Sequence, residues 1–375
     1  MGRFDRYLLS QLLTLFGFFS LVLILLYWVN RAVVLFDELV GDGQTLLVFL
    51  EFSALSLPGI IRIVMPLAAF VAALYVTNRL ASESELVVVQ ASGFSPYRIA
   101  RPVVVFGLIV TVLTGILTHI LYPAASEELA ARESEIARNI TARLLTEGQF
   151  LTPTDGLTVY IRDITESGEL QDIFLADSRD ADSQVIYTAS SAYLVRSERG
   201  PHLVMIDGLA QTLRTSDQRL YTTRFEDFTY DISRLMPADT TPRLRARYLP
   251  SWELWPPTQE VADATGDTIA ELRVTFHDRI SQSLMALTGA VLGMSALLVG
   301  SFSRFGVWKQ VVVAILLIVF INAMETVATQ VTESTPELWP VSYLPAASGL
   351  LIGFLLLTLS AHPEWLRRRP RAAQA

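Results

Sequence analysis

Two glutamates separated by one residue are the first groups in this sequence whose types and spacing could do chemistry. Glu83 and Glu85 lie in the stretch SESELVVVQASGF, residues 82–94, between two long apolar runs. Ser82 is a candidate N-cap, which would place both carboxylates in the first turn of a short helix, at the positive end of its dipole. Gly93 supplies a residue suited to ending that helix.

The same stretch offers an apolar face formed by Leu86, Val87 and Val89. A short helix with an acidic tip and an apolar face suits docking into a groove on a basic partner. A re-entrant or interfacial turn with a solvated acidic tip would give the same pattern. Composition alone leaves both interpretations open.

Three more ionisable residues fall inside or at the ends of apolar runs, namely Arg31, Arg62 and Glu325. Ionisable groups at membrane depth are candidates for function, and a guanidinium pairs bidentately with phosphate. Arginines near the end of a span also snorkel to the interface, and a carboxylate can simply pair with an arginine. We therefore expect these three residues to be lipid-binding candidates, with the structural interpretation kept open.

Several chemistries have no basis in the sequence. It contains no cysteine, which excludes disulfides and thiolate metal sites. It also lacks the phosphate-binding GxxxxGK[ST] sequence and the HExxH and GxSxG motifs. The four histidines are scattered, at positions 119, 202, 277 and 362. We expect no catalytic site, metal, cofactor or nucleic-acid partner, so any ATP would be hydrolysed on another chain.

The composition predicts a membrane protein. The chain is 51% hydrophobic and 18% charged, whereas a soluble domain is about 25% charged. A span needs about 20 apolar residues. No small-residue cleavage site follows the first run, so we expect it to span rather than to be a signal peptide. Six runs qualify, three on each side of a polar segment: residues 7–29, 58–77, 103–122, 280–302, 307–330 and 339–361.

The polar segment between the third and fourth spans predicts an all-β domain. Short alternating runs are separated by Gly, Asp and Ser clusters, a pattern typical of a sandwich or jelly roll. A helix over 124–145 would precede them, and a linker over 241–260 and a helix over 267–279 would follow. The predicted strands are residues 157–164, 170–178, 183–195, 202–208 and 219–232.

Alternation along these strands predicts one apolar inward face. Such a face could form a closed, packed core or stay open to an apolar ligand, and the sequence does not separate the two. The residues predicted to point inward are Phe150, Val159, Ile161, Ile173, Leu175, Ile186, Tyr193, Val204, Ile206, Tyr221, Phe225 and Phe228.

The distribution of basic residues predicts the orientation, because cytoplasmic loops are enriched in Arg and Lys. The short loops 36–44 and 332–338 contain none. Both termini are therefore expected in the cytoplasm, and the β domain in the periplasm. The residues predicted on the cytoplasmic side are Arg3, Arg6, Arg79, Arg98, Arg101, Arg304, Lys309, Arg367, Arg368, Arg369 and Arg371.

The order of spans and three sequence stretches resemble one known family. The stretches are ESELVVVQASGF (83–94), LLTEGQF (144–150) and IRDITESGELQDIFLADSR (161–179). Together with the three-plus-three spans and the inserted β domain, they resemble the LptF/LptG (YjgP/YjgQ) family of lipopolysaccharide-export permeases. The stretch 161–179 is more similar to the F-type member, and the stretch 83–94 is closer to the G-type.

The resemblance implies a membrane α-helical fold with an inserted periplasmic β-jelly roll. The implied domains are residues 1–122 with three spans and a coupling helix at 82–92, residues 123–279 with the jelly roll and its flanking linkers, and residues 280–375 with three spans and a basic cytoplasmic tail. It also implies the permease half of an ABC-type exporter in the bacterial inner membrane.

The family's partners and site residues follow from the same resemblance. An LptG-like paralogue would complete a heterodimer, an LptB-like ATPase dimer would dock on the coupling helices, and LptC- and LptA-like jelly-roll proteins would receive lipopolysaccharide. With lipopolysaccharide as the expected cargo, the lipid-binding candidates are Arg31, Arg62, Glu325, Phe150, Tyr221 and Phe225. A basic residue at position 31 suits the family pattern, whereas Arg62 and Glu325 match no family motif. The implied contacts to the ATPase are Glu83, Glu85, Leu86, Val89 and Gly93.

A second function of another class fits the same architecture. A six-span protein with an exported β domain could be an ABC-permease-like envelope regulator that transports nothing and transmits the state of an ATPase to periplasmic partners. Access of lipid to inward β positions such as Tyr221 would discriminate between the two functions.

Overall fold

A computed structural model gives the three-dimensional structure of most of the chain. The basic residues Arg304 and 367–371 lie outside the described residues, as do residues 144–147 of the stretch LLTEGQF. The described residues are 2–41, 45–143, 148–154, 156–165, 168–180, 183–197, 200–215, 219–231, 244–299 and 308–362.

The chain forms two compact units. The helical unit comprises Met1–Leu129 and Leu244–Ala375, and the β unit comprises Ala130–Arg243. In the described part of the chain, six helical segments are long and apolar enough to cross a membrane. The prediction of six spans around an inserted β domain is confirmed.

The first half of the helical unit contains three long helices and one short one. They are α1 (Arg3–Gly41), α2 (Leu46–Ser82), the short α3 (Glu85–Ala91) and α4 (Pro96–Ile116). A π-helical turn, Leu117–Leu121, joins α4 to α5 (Tyr122–Arg143) without a break.

The second half begins with two short helices. They are α6 (Ser251–Leu254) and α7 (Gln259–Thr265), which follow the β unit. The long helices are α8 (Ile269–Leu298), α9 (Trp308–Ser334) and α10 (Leu344–Ala361), the last preceded by a 3-10 segment, Pro336–Tyr343. Helix α8 starts with a capping box in which Thr268 and Glu271 satisfy each other's backbone N–H groups.

Helix α8 lies at the centre of the helical unit and contacts α2, α4, α9 and α10. Small residues allow this close packing, as is common between membrane helices. A Cβ atom on Gly293 would lie 2.6 Å from the Phe70 carbonyl oxygen of α2, and one on Gly353 of α10 would lie 2.6 Å from a methyl group of Val291. The glycines therefore set the distance between these backbones.

The β unit contains one antiparallel sheet in which each strand pairs with the next along the chain. The five predicted strands are present, and β1 is an additional one. The strands are β1 (Phe150–Thr154), β2 (Leu157–Ile164), β3 (Leu170–Asp177), β4 (Ser183–Ser197), β5 (Gly200–Arg214) and β6 (Arg219–Asp231).

A line of interruptions crosses this sheet, and we call it the bend row. In each strand pair from β2 to β6 the ladder skips one residue pair at the same level. Two of the residues there adopt left-handed backbone conformations, with φ of 49° at Asp172 and 50° at Asp207. The bend row consists of Arg162, Asp172, Ser190, Asp207 and Glu226.

The sheet folds over on itself across the bend row. By register, Asp177 of β3 lies opposite Val185, Thr212 and then Tyr221 of β6, nine residues before Tyr230. In a flat sheet Asp177 and Tyr230 would be about 30 Å apart, but they are hydrogen bonded at 2.7 Å. The core therefore lies between two halves of one sheet.

The fold-over corrects part of the predicted inward face. Six of the predicted residues do belong to the core or pack against it: Val159, Ile161, Ile173, Leu175, Phe225 and Phe228. Phe150, Tyr193, Ile206 and Tyr221 are instead exposed at 68%, 40%, 37% and 43%. The prediction assumed unbroken alternation, whereas every strand from β2 to β6 changes its inward parity at the bend row, as from Ile173 to Leu170 on β3.

Candidate functional site

The corner between α2 and α4 contains the acidic stretch that the sequence singles out. Helix α2 continues to Ser82, whose hydroxyl donates to the Asn78 carbonyl at 2.9 Å within that helix. Ser84 adopts a left-handed conformation with φ of 60° and precedes α3. The prediction of Ser82 as N-cap is therefore wrong: Glu83 caps the end of α2, and Glu85 alone occupies the first turn of α3.

The end of α3 is as predicted. The helix ends at Ala91, and Gly93 has φ of 89°. Its N–H donates to the Gln90 carbonyl at 2.9 Å, and the Phe94 N–H donates to the Val89 carbonyl at 3.4 Å. Glycine adopts this backbone conformation without the strain that a Cβ atom would add.

Apolar contacts fix α3 on the helical unit. Leu86 is buried among residues of α1, α2 and α4, including Leu8, Leu80 and Ile99. Val89 packs against the same cluster. These two residues therefore anchor α3 on the bundle, and their predicted contact with an ATPase stays a prediction.

The apolar surface that α3 does expose is different from the predicted face. Val87 is 40% exposed and Val88 is 63% exposed. The predicted docking face included Val87 but not Val88, which is the more exposed of the two. The alternation of buried Leu86 and exposed Val87–Val88 follows from a helix that lies with one side on the bundle.

Glu83 is held by an arginine of α2, the helix that it caps, and Glu85 by a tyrosine of α1. Arg79 donates from Nε to Glu83 Oε1 at 3.0 Å and from Nη1 to Gln11 Oε1 of α1 at 3.0 Å. The Tyr7 hydroxyl donates to Glu85 Oε2 at 3.5 Å. The acidic residues are thus tied to α1 and α2, and a displacement of α3 would be transmitted to both.

A second group of charged residues lies between α2, α8 and α9. The Arg62 guanidinium carbon lies 4.1 Å from the centroid of the Tyr122 ring. Its buried Nε has no hydrogen-bond partner among the described residues. Glu325 and Asp278 are within electrostatic range of Arg62 and of each other. Arg31 lies partly buried on α1, and the structure does not bring it together with this group.

The aromatic lipid candidates of the β unit occupy different environments. Phe225 packs in the folded core, where its ring covers Gly208. Tyr221 is 43% exposed, and the Arg214 guanidinium carbon lies 5.3 Å from its ring centroid. Phe150 stacks on Tyr160 with ring centroids 4.6 Å apart, on the face opposite the core.

Comparison with known proteins identifies the family. A family model for the lipopolysaccharide export system permease LptF/LptG matches residues 6–359. The chain belongs to the LptF/LptG family. It is consequently an integral membrane protein of the permease type, and the predicted family is confirmed.

Individual relatives of this LptF/LptG permease are distant. An uncharacterized protein of Rickettsia prowazekii is 22% identical over 363 residues, which are 95% of this chain and 99% of that protein. Escherichia coli LptF is 23% identical over 200 residues, 53% of each chain. Escherichia coli LptG is 31% identical over 159 residues, 42% of this chain and 41% of that protein. The chain aligns with about half of Escherichia coli LptF and with less than half of Escherichia coli LptG. These matches therefore show the family but do not distinguish the two paralogues.

This chain also contains a buried arginine, Arg279, that the sequence does not single out as a functional residue. Arg279 of α8 is 4% exposed and donates to the carbonyl oxygens of Leu249, Ala246 and Arg247 at 2.8, 3.2 and 3.2 Å. It also donates to the Ser251 hydroxyl at 2.9 Å. This one side chain fixes the segment that follows the β unit onto α8.

A sequence signal for these missed residues exists. Asp278 and Arg279 are adjacent charged residues directly before the fourth apolar run, a position where a solvated helix end is the ordinary expectation. The linker after the β unit contains Pro and Trp, which favour an irregular backbone over a long helix. Buried carbonyl oxygens of such a backbone need donors, and Arg279 donates to three of them.

Proposed function

We propose that this chain is a permease subunit of an ABC-type lipopolysaccharide exporter. It would extract lipopolysaccharide from the inner membrane and pass it to a periplasmic bridge, powered by ATP hydrolysed on a separate chain. The observation that carries this proposal is the anchoring of α3, which places Glu85 and an exposed Val87–Val88 pair on a helix fixed to three long helices.

The geometry of α3 suits the transfer of movement. An ATPase that docks on Val87, Val88 and Glu85 would push on a helix whose Leu86 is packed into the bundle. The ion pair between Glu83 and Arg79 and the hydrogen bond between Arg79 and Gln11 extend this connection to α2 and α1. Closure of the ATPase would then rock the spans and narrow a lipid cavity.

The orientation proposed here follows the positive-inside rule. Arg79, Arg98 and Arg101 lie on the same side of the spans as α3. The loops at 36–44 and 332–338 on the other side have no basic residue. Both termini and α3 would face the cytoplasm, and the β unit would face the periplasm.

Partners are proposed from the family. The chain would be the F-like half of a heterodimer with an LptG-like permease, an LptB-like ATPase dimer would bind α3, and LptC- and LptA-like proteins would accept the lipid. Support for the F-like assignment comes from residues 161–179, and the match to Escherichia coli LptF is longer than that to LptG.

The lipid would contact the charged residues between α2, α8 and α9, in the outer half of the spans. In the part of the chain that the structure describes, the buried Arg62 Nε has no hydrogen-bond acceptor, and a lipid phosphate could provide one. Arg31 would be a second contact, and Glu325 would hold Arg62 electrostatically in place. Acyl chains would then enter the apolar interior of the folded sheet, where Phe225 lies.

Charge reversal on α3 tests the proposal. Membranes that contain the exporter would be used to compare Glu85→Lys with Glu260→Lys, which changes an exposed glutamate in the first turn of α7. We expect Glu85→Lys to reduce co-purification of the ATPase by about tenfold or more, because a desolvated charge contact is lost and a like charge faces a basic partner. Glu260→Lys should leave it unchanged. Full recovery of the ATPase with Glu85→Lys would contradict the role of α3.

A further inference from the structure

The outer face of the β sheet, opposite the folded core, contains a row of side chains that crosses all six strands. Each residue of this row is paired with the next in the register of the sheet. The row begins with three aromatic rings and ends with an arginine: Phe150, Tyr160, Phe174, Thr188, Leu209 and Arg224.

The three rings form a platform. Phe150 stacks on Tyr160 at a centroid distance of 4.6 Å and contacts Phe174 edge-on at 6.1 Å. Phe150 is 68% exposed, which is unusual for a ring that the fold could have turned inward. The face of an aromatic ring carries negative charge density, so it attracts the weakly positive C–H groups of a flat ring that lies on it.

The bend row runs beside this platform and supplies polar groups. Its residues lie two positions along each strand from the aromatic row. Asp172 accepts from Arg162 at 2.9 Å, and the Ser190 hydroxyl donates to the Asp207 carbonyl at 3.2 Å. A cavity of about 420 Å³ is lined by members of both rows, including Tyr160, Phe174, Asp172, Asp207 and Arg224.

The charges of the cavity select among ligands. Asp172, Asp207 and Arg224 line it, and Asp172 also pairs with Arg162, so the cavity has no excess of positive charge that would favour a phosphate. An acyl chain would leave these charged groups desolvated. Sugar hydroxyls both donate and accept, which matches carboxylate acceptors, the Arg224 donor and the hydroxyls of Ser190 and Thr188.

We propose that this surface, the platform and the adjoining bend row, binds pyranose rings. One sugar ring would lie on the exposed face of Phe150, and the following rings of the saccharide would extend across the strands, with their hydroxyls toward Asp172, Asp207 and Arg224. If the chain exports lipopolysaccharide, which is the function proposed above, the saccharide is that of the cargo. The outer face of the sheet would then guide the sugar portion while the folded interior takes the acyl chains.

The test is a titration of the full-length chain in detergent with an oligosaccharide prepared from lipopolysaccharide by complete deacylation and dephosphorylation. Saturation-transfer NMR would give the dissociation constant. We expect saturable binding that Phe150→Ala and Asp207→Asn each weaken about threefold to tenfold. Asparagine accepts the positive φ of residue 207, so the bend is kept.

Leu220→Ala is the matched control. Leu220 is 62% exposed and lies on the same strand as Arg224, four residues away. We expect it to leave the dissociation constant unchanged. Absence of saturable oligosaccharide binding, or binding that neither Phe150→Ala nor Asp207→Asn weakens, would overturn the saccharide site.

A parallel titration with intact lipopolysaccharide separates this inference from the function on which its ligand rests. Binding of the intact lipid without binding of the oligosaccharide would overturn the saccharide site and leave the transport function standing. Oligosaccharide binding that depends on Phe150, in a chain that fails to support export, would support the site and contradict the function.

Discussion

The Tyr230 hydroxyl donates to Asp177 Oδ2 at 2.7 Å and thereby closes the folded sheet between its last strand and its third. Arg179 reinforces the closure, because its Nη2 donates to the Tyr230 oxygen at 3.0 Å and its Nε donates to Asp177 Oδ1 at 2.8 Å. The rings of Tyr187 and Phe228 stack at 5.0 Å between the same two halves of the sheet. A polar clasp and an aromatic pair therefore hold the halves together.

Removal of the charge in the clasp should loosen the β unit. Asp177→Asn leaves the partly buried Tyr230 and Arg179 with a weaker acceptor, and we expect a loss of about 1–3 kcal/mol in the opening free energy of the β unit. Hydrogen exchange of the β6 amides in the full-length protein measures it. The control is Asp227→Asn, which changes an exposed aspartate on β6, the strand whose amide exchange is measured. Equal exchange in the two variants would show that the clasp contributes no stability.

The clasp of Asp177, Arg179 and Tyr230 should stabilise the β unit by a constant amount over a middle range of pH, and by less on the acidic and alkaline sides of that range. The Arg179 guanidinium lowers the pKa of Asp177, so its contribution is complete above about pH 4 and is lost as the pH falls. Burial and the neighbouring Asp177 raise the pKa of Tyr230, so that contribution is complete below about pH 10 and is lost as the pH rises. After correction for the intrinsic exchange rate of the amides, which itself rises with pH, the opening free energy of the β unit should be constant between these limits. Tyr230→Phe should reduce the loss of stability above about pH 10. An unaltered loss in this variant would rule out Tyr230 as its source.

A larger side chain between α8 and α2 should destabilise the helical unit. Gly293→Leu would force its side chain against the Phe70 carbonyl, and we expect a loss of about 1–3 kcal/mol or more from overpacking. Thermal unfolding in detergent measures the effect. Gly17→Leu on α1 is matched to it, since a Cβ atom there would meet no atom within 4 Å. If both variants unfold at the temperature of the unaltered protein, the glycine contact does not set the helix distance.

Two neighbouring residues of α3 should separate stability from coupling. Leu86→Ala removes a buried anchor and should cost about 2–5 kcal/mol. Val88→Ala changes an exposed residue, so it should leave unfolding unchanged and reduce ATPase association with the membranes. Measurement of both quantities for both variants tests the assignment. Unaltered ATPase association in Val88→Ala would remove Val88 from the proposed docking surface.

Lipid access to the folded interior can be tested with photo-crosslinking residues. Placed at Phe228, inside the fold, the crosslinker should capture lipopolysaccharide during ATP turnover, whereas at Ile206, on the outer face, it should capture little of the acyl part. Mass spectrometry of the adducts identifies the part of the lipid that was captured. Capture at neither position would favour an envelope regulator that transports no lipid.

The order of elements was predictable from the sequence because hydrophobicity alone determines it. The six spans are apolar for the length of a bilayer, and strands β2, β3, β4 and β6 coincide with the predicted strands to within two residues at each end. Strand β5 extends to Arg214, beyond the predicted end at 208, because residues 209–214 pair through their backbones with β4 on one side and β6 on the other.

The details of the candidate site depended on contacts between distant residues. Nothing local to Leu86 indicates that it faces the bundle while Val88 faces outward, since both are aliphatic neighbours in one short run. The change of parity on the β strands was hidden for a related reason. The left-handed conformation at Asp172 and Asp207 reverses which side chains of the strand point inward after it. Aspartate adopts this conformation more readily than most residues, but it also occurs in many other conformations, so the sequence does not reveal the change.

The sequential strand order has a consequence for biosynthesis. Each strand of the β unit pairs with the strand made immediately before it, so loop-closure entropy stays low at every step and hairpins can form as the chain emerges. The long-range closure waits for β6, which is the last strand to be made and contains both Phe228 and Tyr230. Until then the apolar interior stays accessible, which makes the completion of β6 the moment at which this unit becomes safe from aggregation.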